Sequence, residues 1–482
     1  MELNEARCYR ALLSRDQRFD GRFFVGVVTT GVYCRPVCRV RPPKRENVRF
    51  FACAAAAEHE GFRPCMRCRP EASPGTPAWL GTSAVVSRAL RLIAQDALDE
   101  EDVAALAARL GLGERQLRRL FATHLGASPA QVARARRVHF ARRLLDETDL
   151  RVHEIAAAAG FSSLRQFNHA MRATFRRPPT ELRKQRGATA AAGEGLIVRL
   201  PYRAPFDWAG TLAFLAARAI PGVEAVNPQG YRRTVRIGET LGTIEVRRPR
   251  AALHLLLRVR LPGCMQLLEV TERVRHLFDL NADPLPIHSH LLGSAVLAAK
   301  VKRTPGARVP GAWDCFETAV RAVLGQQVTV RGATTLVGRL VQRFGTPVKL
   351  DDPVLTHLFP SADTLVEAPL EQIGLPRARA HTLRMLARAV ASGELCFDAA
   401  RGLDQAVARL RAVPGIGPWT AQYIAMRVLG EPDAFPSGDL GLRRALGNGA
   451  GPLSAARLEA AAEAWRPWRA YAAMYLWKEL RT

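Results

Sequence analysis

Four of the nine cysteines fall in a spacing with chemical meaning: Cys34, Cys38, Cys65 and Cys68, arranged C-x3-C-x26-C-x2-C. Four thiolates so placed suit a closed tetrahedral zinc site, and such an ion typically contributes about 10–16 kcal/mol to the folding of a small domain. The odd cysteine total argues against a disulfide framework. Cys8, Cys53, Cys264, Cys315 and Cys396 read as small buried apolar residues. A second pattern lies near the other end, in Val413-Pro414-Gly415-Ile416-Gly417-Pro418-Trp419-Thr420-Ala421. Its glycines allow a tight turn between two helices and let backbone amides approach a phosphate. Asp439 comes 22 residues after Gly417. Taken alone it reads as a solvated surface residue or a helix cap.

The elements that must position these residues show in the periodicity. Asp102–Leu110, a turn at Gly111-Leu112-Gly113 and Glu114–Phe121 read as helix, turn, helix, with Asp99 or Asp102 as the cap. A second copy runs Val152–Ala156, Gly160-Phe161-Ser162-Ser163 and Leu164–His169, and exits at Phe175-Arg176-Arg177-Pro178-Pro179. Alternation predicts strands at Tyr231–Ile237, Gly242–Arg247 and His254–Val259, and beyond residue 311 the chain reads as helical. Linkers are expected at Ser73-Pro74-Gly75-Thr76-Pro77 and Gly187–Gly195, with a looser break over Thr304–Gly311.

At roughly 100–200 residues per domain, 482 residues predict three to four domains. Uncharged apolar stretches such as Leu291–Ala299 are far too short to span a bilayer, and Met1-Glu2-Leu3-Asn4-Glu5 lacks the layout of a secretory signal. A soluble cytoplasmic protein is therefore expected. Against 44 Asp+Glu stand 70 Lys+Arg, a net charge of +26 that calls for a polyanionic partner. Only six of these cations are lysine, which fits bidentate phosphate contacts and equally fits a GC-rich genome. Residues 1–195 hold 33 basic and 20 acidic residues, and the remainder 37 and 24, so each part carries +13. If nucleic acid is the partner, both halves are expected to touch it.

Gly31-Val32-Tyr33-Cys34-Arg35-Pro36-Val37-Cys38, Arg45-Glu46-Asn47-Val48 and Gly61-Phe62-Arg63-Pro64-Cys65-Met66-Arg67-Cys68 together resemble the N-terminal domain of Ada-type alkylation-response proteins. The resemblance implies that Cys34 accepts a methyl group irreversibly from a methylphosphotriester in DNA. Arg35, Arg39, Arg41 and Arg45 are the candidates to hold flanking phosphates. Zn²⁺ with four thiolates carries about −2, and a thioether at Cys34 leaves about −1. Repair is therefore expected to tighten DNA binding. The two helix-turn-helix copies resemble the AraC/XylS DNA-binding domain, whose second helices enter the major groove. Candidate base readers are Gln116 and Arg119 in the first copy, and Ser163, Gln166 and Asn168 in the second.

The pairing of Gly415 and Gly417 with Asp439 resembles the helix-hairpin-helix DNA glycosylases, where this Asp is the catalytic carboxylate. Phe206-Asp207-Trp208 to Phe214, Trp313–Glu317, Leu324-Gly325-Gln326-Gln327-Val328 and Trp465–Tyr471 narrow the resemblance to AlkA-like 3-methyladenine glycosylases. Carried over, Phe214, Trp419, Tyr423 and Trp468 line the base pocket, where aromatic faces attract cationic alkylated purines. Gln327 stands where the best-known members place a leucine wedge, and Pro418-Trp419 follow the glycines where bifunctional relatives place a Schiff-base lysine. A monofunctional enzyme leaving an abasic site is expected. No Pro-Cys-His-Arg tetrapeptide occurs, so no O6-methylguanine repair is expected.

The resemblances imply a multidomain chain, mainly α with α+β parts. They divide it into a zinc-binding methyl-acceptor domain (1–75), an AraC-type DNA-binding domain (84–186), an AlkA-like N-terminal domain (196–303) and a helix-hairpin-helix glycosylase domain (304–482). The implied cofactor is one Zn²⁺, with a monovalent cation at the hairpin. Expected partners are double-stranded DNA, both alkylated and promoter, and RNA polymerase, in a cytoplasmic, nucleoid-associated setting. The competing readings are a methylation-responsive regulator whose glycosylase half only grips DNA, and a glycosylase whose N-terminal half only anchors it.

Overall fold

The computed structural model describes residues 4–74, 84–94, 102–183, 195–262, 266–397, 401–447 and 451–479. Most of the two expected linkers (75–77 and 187–194), Asp99 and Cys264 lie outside them. The chain divides into two compact units: residues 1–204, 249–272 and 280–283, and residues 205–248, 273–279 and 284–482.

In the first unit, Asn4 caps the helix Glu5–Ser14, which buries Cys8, Ala11 and Leu12 at i, i+3, i+4 spacing. These pack with Phe23, Val25 and Val48. The adjoining sheet has the strand order Val48–Phe51, Phe24–Val27, Val32–Cys34, Arg63–Pro64, the last pair parallel and the others antiparallel. A side chain at Gly26 would meet the Phe51 ring at 2.6 Å, so glycine lets Phe51 and Phe62 close over the strand.

Both predicted helix-turn-helix segments are present: Val103–Arg109 with Glu114–Leu125, and Val152–Ala158 with Leu164–Phe175. Gly111 and Gly160 make their turns in the left-handed region, at φ 71° and 75°. Asp102 caps the first helix and Ser163 the last. Between the copies runs Pro129–Glu147, started by a capping box of Ser128 and Gln131 and burying Val138, Ala141, Leu144 and Leu145. The strand expected at His254–Val259 forms, paired antiparallel with Leu196–Pro201.

In the second unit the other two expected strands appear as Gly230–Ile237 and Thr240–Arg247, in a meander with Glu224–Asn227. A buried network ties this meander to the helix Cys315–Leu324. Arg233 pairs with Glu317 at 2.7 Å, Arg321 with Glu224 at 3.1 Å, and the Tyr231 hydroxyl donates to Glu224 at 2.6 Å. Helices Val330–Phe344, Arg377–Ala391, Leu403–Arg411, Pro418–Arg427 and Arg469–Glu479 build the rest. Among the described residues, no helix is long and apolar enough to cross a membrane.

Candidate functional site

The sulfurs of Cys34, Cys38, Cys65 and Cys68 all lie within 4.8 Å of one another. Zinc–sulfur bonds of about 2.3 Å at tetrahedral angles place sulfurs about 3.8 Å apart, so the cluster fits one Zn²⁺. Cys34, Cys38 and Cys65 are buried and Cys68 is half-buried. The strand Val32–Cys34 delivers Cys34, and the Cys65 amide donates to the Tyr33 carbonyl at 2.9 Å, which joins the two halves of the cluster. The Arg35 amide donates to the Cys68 sulfur at 3.4 Å.

The arginines around the cluster are used in different ways. Arg35 is drawn inward: its Nε donates to Asp20 at 2.8 Å and its Nη1 to the Cys68 carbonyl at 3.2 Å. Arg45 pairs with Glu5 and covers the Phe50 ring at 5.4 Å. Arg39, Arg41 and Arg67 are exposed on the metal loops.

On the DNA-binding helices, Gln116 and Arg119 are exposed on Glu114–Leu125. Ser163 spends its hydroxyl oxygen on the Gln166 amide at 3.2 Å, and the Gln166 side chain accepts from Ser162 at 3.1 Å. Asn168 is half-buried on the same helix.

In the second unit the hairpin helices Leu403–Arg411 and Pro418–Arg427 flank Gly415 at φ 86°, where a Cβ would lie 1.9 Å from the Thr382 hydroxyl oxygen. At Gly417 a Cβ would meet nothing within 4 Å. The loop carrying Gln327 is pinned to this hairpin by its neighbour. Gln326 donates to the Gly415 carbonyl and to Thr420, both at 3.0 Å, and Arg379 donates to the Gln326 carbonyl at 2.7 Å. Gln327 itself is exposed in the left-handed region at φ 56°, with exposed Val328 after it.

Asp439 is indeed a helix cap, accepting from the Leu442 amide at 3.0 Å, and it is more than that. Its Oδ2 accepts from the Trp419 indole at 3.2 Å and its Oδ1 from the Trp477 indole at 2.9 Å. Two tryptophans 58 residues apart thus aim one carboxylate. Trp419 stacks on Tyr423 with centroids 5.5 Å apart, and Tyr423 leans on Trp477 at 6.3 Å.

Trp477 belongs to none of the motifs described above. It lines, with Phe214, Asp207 and Lys478, a small cleft. Trp468, the expected pocket residue, instead meets Tyr471 edge-on, and Tyr471 donates to Asp279 at 2.9 Å. Trp468 lies just before the helix Arg469–Glu479 and Trp477 in its last turn, so the two serve different surroundings. The available signal was the i, i+3, i+4 spacing of Met474, Trp477 and Lys478, all of which line the cleft.

The aromatic faces are also not all open. Arg218 lies 3.9 Å and Arg427 4.7 Å from the Phe214 ring centroid. Arg427 donates to the Tyr423 hydroxyl at 2.8 Å. Burial raises the Tyr423 pKa, but Arg427, Arg218 and Arg321 outweigh it and bring the phenol down to about 8.

Family models match in the order in which these features occur. They are the metal binding domain of Ada over residues 7–71, a helix-turn-helix domain over 106–185, the AlkA N-terminal domain over 197–314, and the HhH-GPD superfamily base excision DNA repair protein over 320–470. The probable bifunctional transcriptional activator/DNA repair enzyme AlkA of Mycobacterium tuberculosis is 47% identical over 479 residues, covering 98% of this chain and 96% of that protein. The chain belongs to this bifunctional Ada/AlkA family. DNA-3-methyladenine glycosylase 2 of Escherichia coli is 35% identical over 58% of this chain and 95% of its own length. The Archaeoglobus fulgidus 3-methyladenine DNA-glycosylase shares the fold, with a TM-score of 0.51 at 23% identity over 59% of this chain and 98% of that one. In this member of the Ada/AlkA family the four-cysteine cluster and Asp439 lie in separate units of the chain.

Proposed function

We propose that the chain is a fused alkylation-damage sensor, regulator and repair enzyme whose modules span 1–75, 84–186, 196–303 and 304–482. Cys34 takes a methyl group from a methylphosphotriester in DNA. The S–C bond forms as the C–O bond breaks, and the electron pair returns to the phosphate oxygen. Zinc held by the four thiols keeps the nucleophile ionised at neutral pH. Exposed Arg39 and Arg41 hold flanking phosphates, with Arg45 at the edge. Arg35 acts as a positioning residue, since its guanidinium braces Asp20 against the Cys68 carbonyl.

In the second unit Asp439 stabilises the oxocarbenium-like sugar as the N-glycosyl bond breaks and its electron pair leaves with the base. Water then adds at C1′ and an abasic site remains, the monofunctional outcome. Trp419, Tyr423 and Trp477 accept the extruded alkylated base, Phe214 backs the cleft, Gly415 and Gly417 grip the phosphate backbone, and Gln327 enters the gap in the duplex. The AraC-like helices bind promoter DNA through Gln116, Arg119 and Gln166 and engage RNA polymerase, in the cytoplasm at the nucleoid.

The observation that carries the enzymatic reading is the pair of indole N–H groups converging on Asp439, one of them from Trp477, which also lines a cleft with Phe214. Incubating the full chain with methylated DNA tests it. Abasic sites are expected from wild type and are lost in Asp439→Asn, and mass spectrometry is expected to find one methyl group on Cys34. Wild type that releases no base would leave the second unit a DNA grip.

A further inference from the structure

The residues flanking the first and last metal ligands both reach out of the zinc module, and both reach the same helix. Tyr33, directly before Cys34, is fully buried. Its hydroxyl donates to Glu58 at 2.8 Å and lies 3.2 Å from His139 Nε2, and His139 Nε2 lies 2.7 Å from the same Glu58 oxygen. Arg69, directly after Cys68, pairs with Asp146 and, at 3.1 Å, with Glu71. Asp146 also pairs with Arg142. His139, Arg142 and Asp146 all belong to Pro129–Glu147, the helix that joins the two helix-turn-helix copies.

Both bridges are also anchored to one metal ligand through the backbone. The Cys65 amide donates to the Tyr33 carbonyl, and the Arg69 amide donates to the Cys65 carbonyl, each at 2.9 Å. The rest of the seam is close-packed: the Cys53 thiol donates to the Leu125 carbonyl at 3.4 Å, and Gly126 faces Ala56. Apolar packing would hold such a seam at least as well as ion pairs do. Buried polar bridges add sensitivity to geometry, because hydrogen bonds weaken steeply as they lose alignment.

We propose that Tyr33–Glu58–His139 and Arg69–Asp146 form a two-point linkage that carries the methylation of Cys34 to the DNA-binding helices. The inference rests on the reading of Cys34 as methyl acceptor. Turning that thiolate into a thioether weakens one of the four bonds that fix the strand Val32–Cys34 and the loop around Cys65. Tyr33 and Arg69 move with those segments, and Pro129–Glu147 moves with them. A shift of this helix changes the spacing of the two helices that enter the DNA. The linkage acts beside the change in site charge and does not require DNA to be bound.

The test uses the zinc-loaded full chain, methylated with a duplex carrying a methylphosphotriester and then freed of DNA. Mass spectrometry reads the methyl group on Cys34, and amide hydrogen exchange reads residues 129–147 and 164–175. In wild type, methylation is expected to change exchange there by roughly fivefold or more, the lower end of typical coupling between sites. Tyr33→Phe and Asp146→Asn are expected to keep zinc and wild-type methyl uptake while losing most of that change. His139→Gln, which can still donate to Glu58, should retain part of it. Methylated wild type with unchanged exchange would overturn the linkage, as would an undiminished change in the Tyr33→Phe, Asp146→Asn double variant. Wild type that takes up no methyl group at Cys34 overturns the acceptor reading and the linkage with it.

Discussion

Asp439→Asn separates the electrostatic role of this side chain from its structural one. Asparagine keeps an Oδ1 that can accept from Leu442 and Trp477, so the cap of Leu440–Ala445 survives. Its amide turns an N–H toward the Trp419 indole N–H, where Oδ2 had accepted at 3.2 Å. One unpaired donor costs about 1–3 kcal/mol of stability, which leaves the domain folded. The larger effect is on the reaction. A carboxylate about 4 Å from a sugar cation, at an effective dielectric of about 20, contributes about 4 kcal/mol. Its loss corresponds to roughly a 10³-fold slower bond cleavage. The assay is single-turnover excision with enzyme in excess, scored by alkaline cleavage at abasic sites, with DNA affinity measured in parallel. Affinity should hold while the rate falls. If the variant stays within about tenfold of wild type, electrostatic stabilisation by Asp439 is the wrong account.

Trp477→Phe keeps a ring but removes the N–H donated to Asp439 at 2.9 Å, worth about 1.5–3 kcal/mol for a charged acceptor, so excision should slow roughly 10–100-fold. Trp468→Phe should leave excision near wild type in the same assay. Burial disfavours charge on His139, but Glu58 outweighs it and raises the pKa above 6.5. The fold therefore favours the protonated ring, and this stabilisation is fully present below pH 6.5 and lost as pH rises through the higher folded value. Urea midpoints of the first unit should fall with pH across that window in wild type and change less in His139→Gln. Gly415→Ala places a Cβ 1.9 Å from the Thr382 oxygen at φ 86° and should cost about 1–3 kcal/mol or more, whereas Gly417→Ala meets open space and should leave thermal stability nearly unchanged.

What the sequence made legible was local. The C-x3-C and C-x2-C pairs, the turn glycines at 111 and 160, and the hairpin around Gly415 each impose their geometry within a few residues. Amphipathic periodicity and alternation likewise located both helix-turn-helix copies and the three predicted strands, because burial of one face is written along the chain. The aromatic pocket was only partly legible. Trp419, Tyr423 and Asp439 lie within 21 residues of one another, but Trp477 sits on the helix Arg469–Glu479 and Trp468 directly before it, and composition does not say which of them faces the cleft.

The same division holds for the arginines. Nothing adjacent to Arg35 reveals that Asp20 will claim it, and nothing near Phe214 announces Arg427, 213 residues away, beside its ring. The amino-acid sequence by itself determined the modules, their order and the four clustered cysteines, and it put Asp439 forward as the candidate carboxylate. The tertiary structure alone decided which indoles aim that carboxylate, which cations are already committed, and that Tyr33 and Arg69 meet one helix of the DNA-binding module. Such pairings depend on helix packing between segments tens to hundreds of residues apart, and periodicity specifies a face without specifying its neighbour.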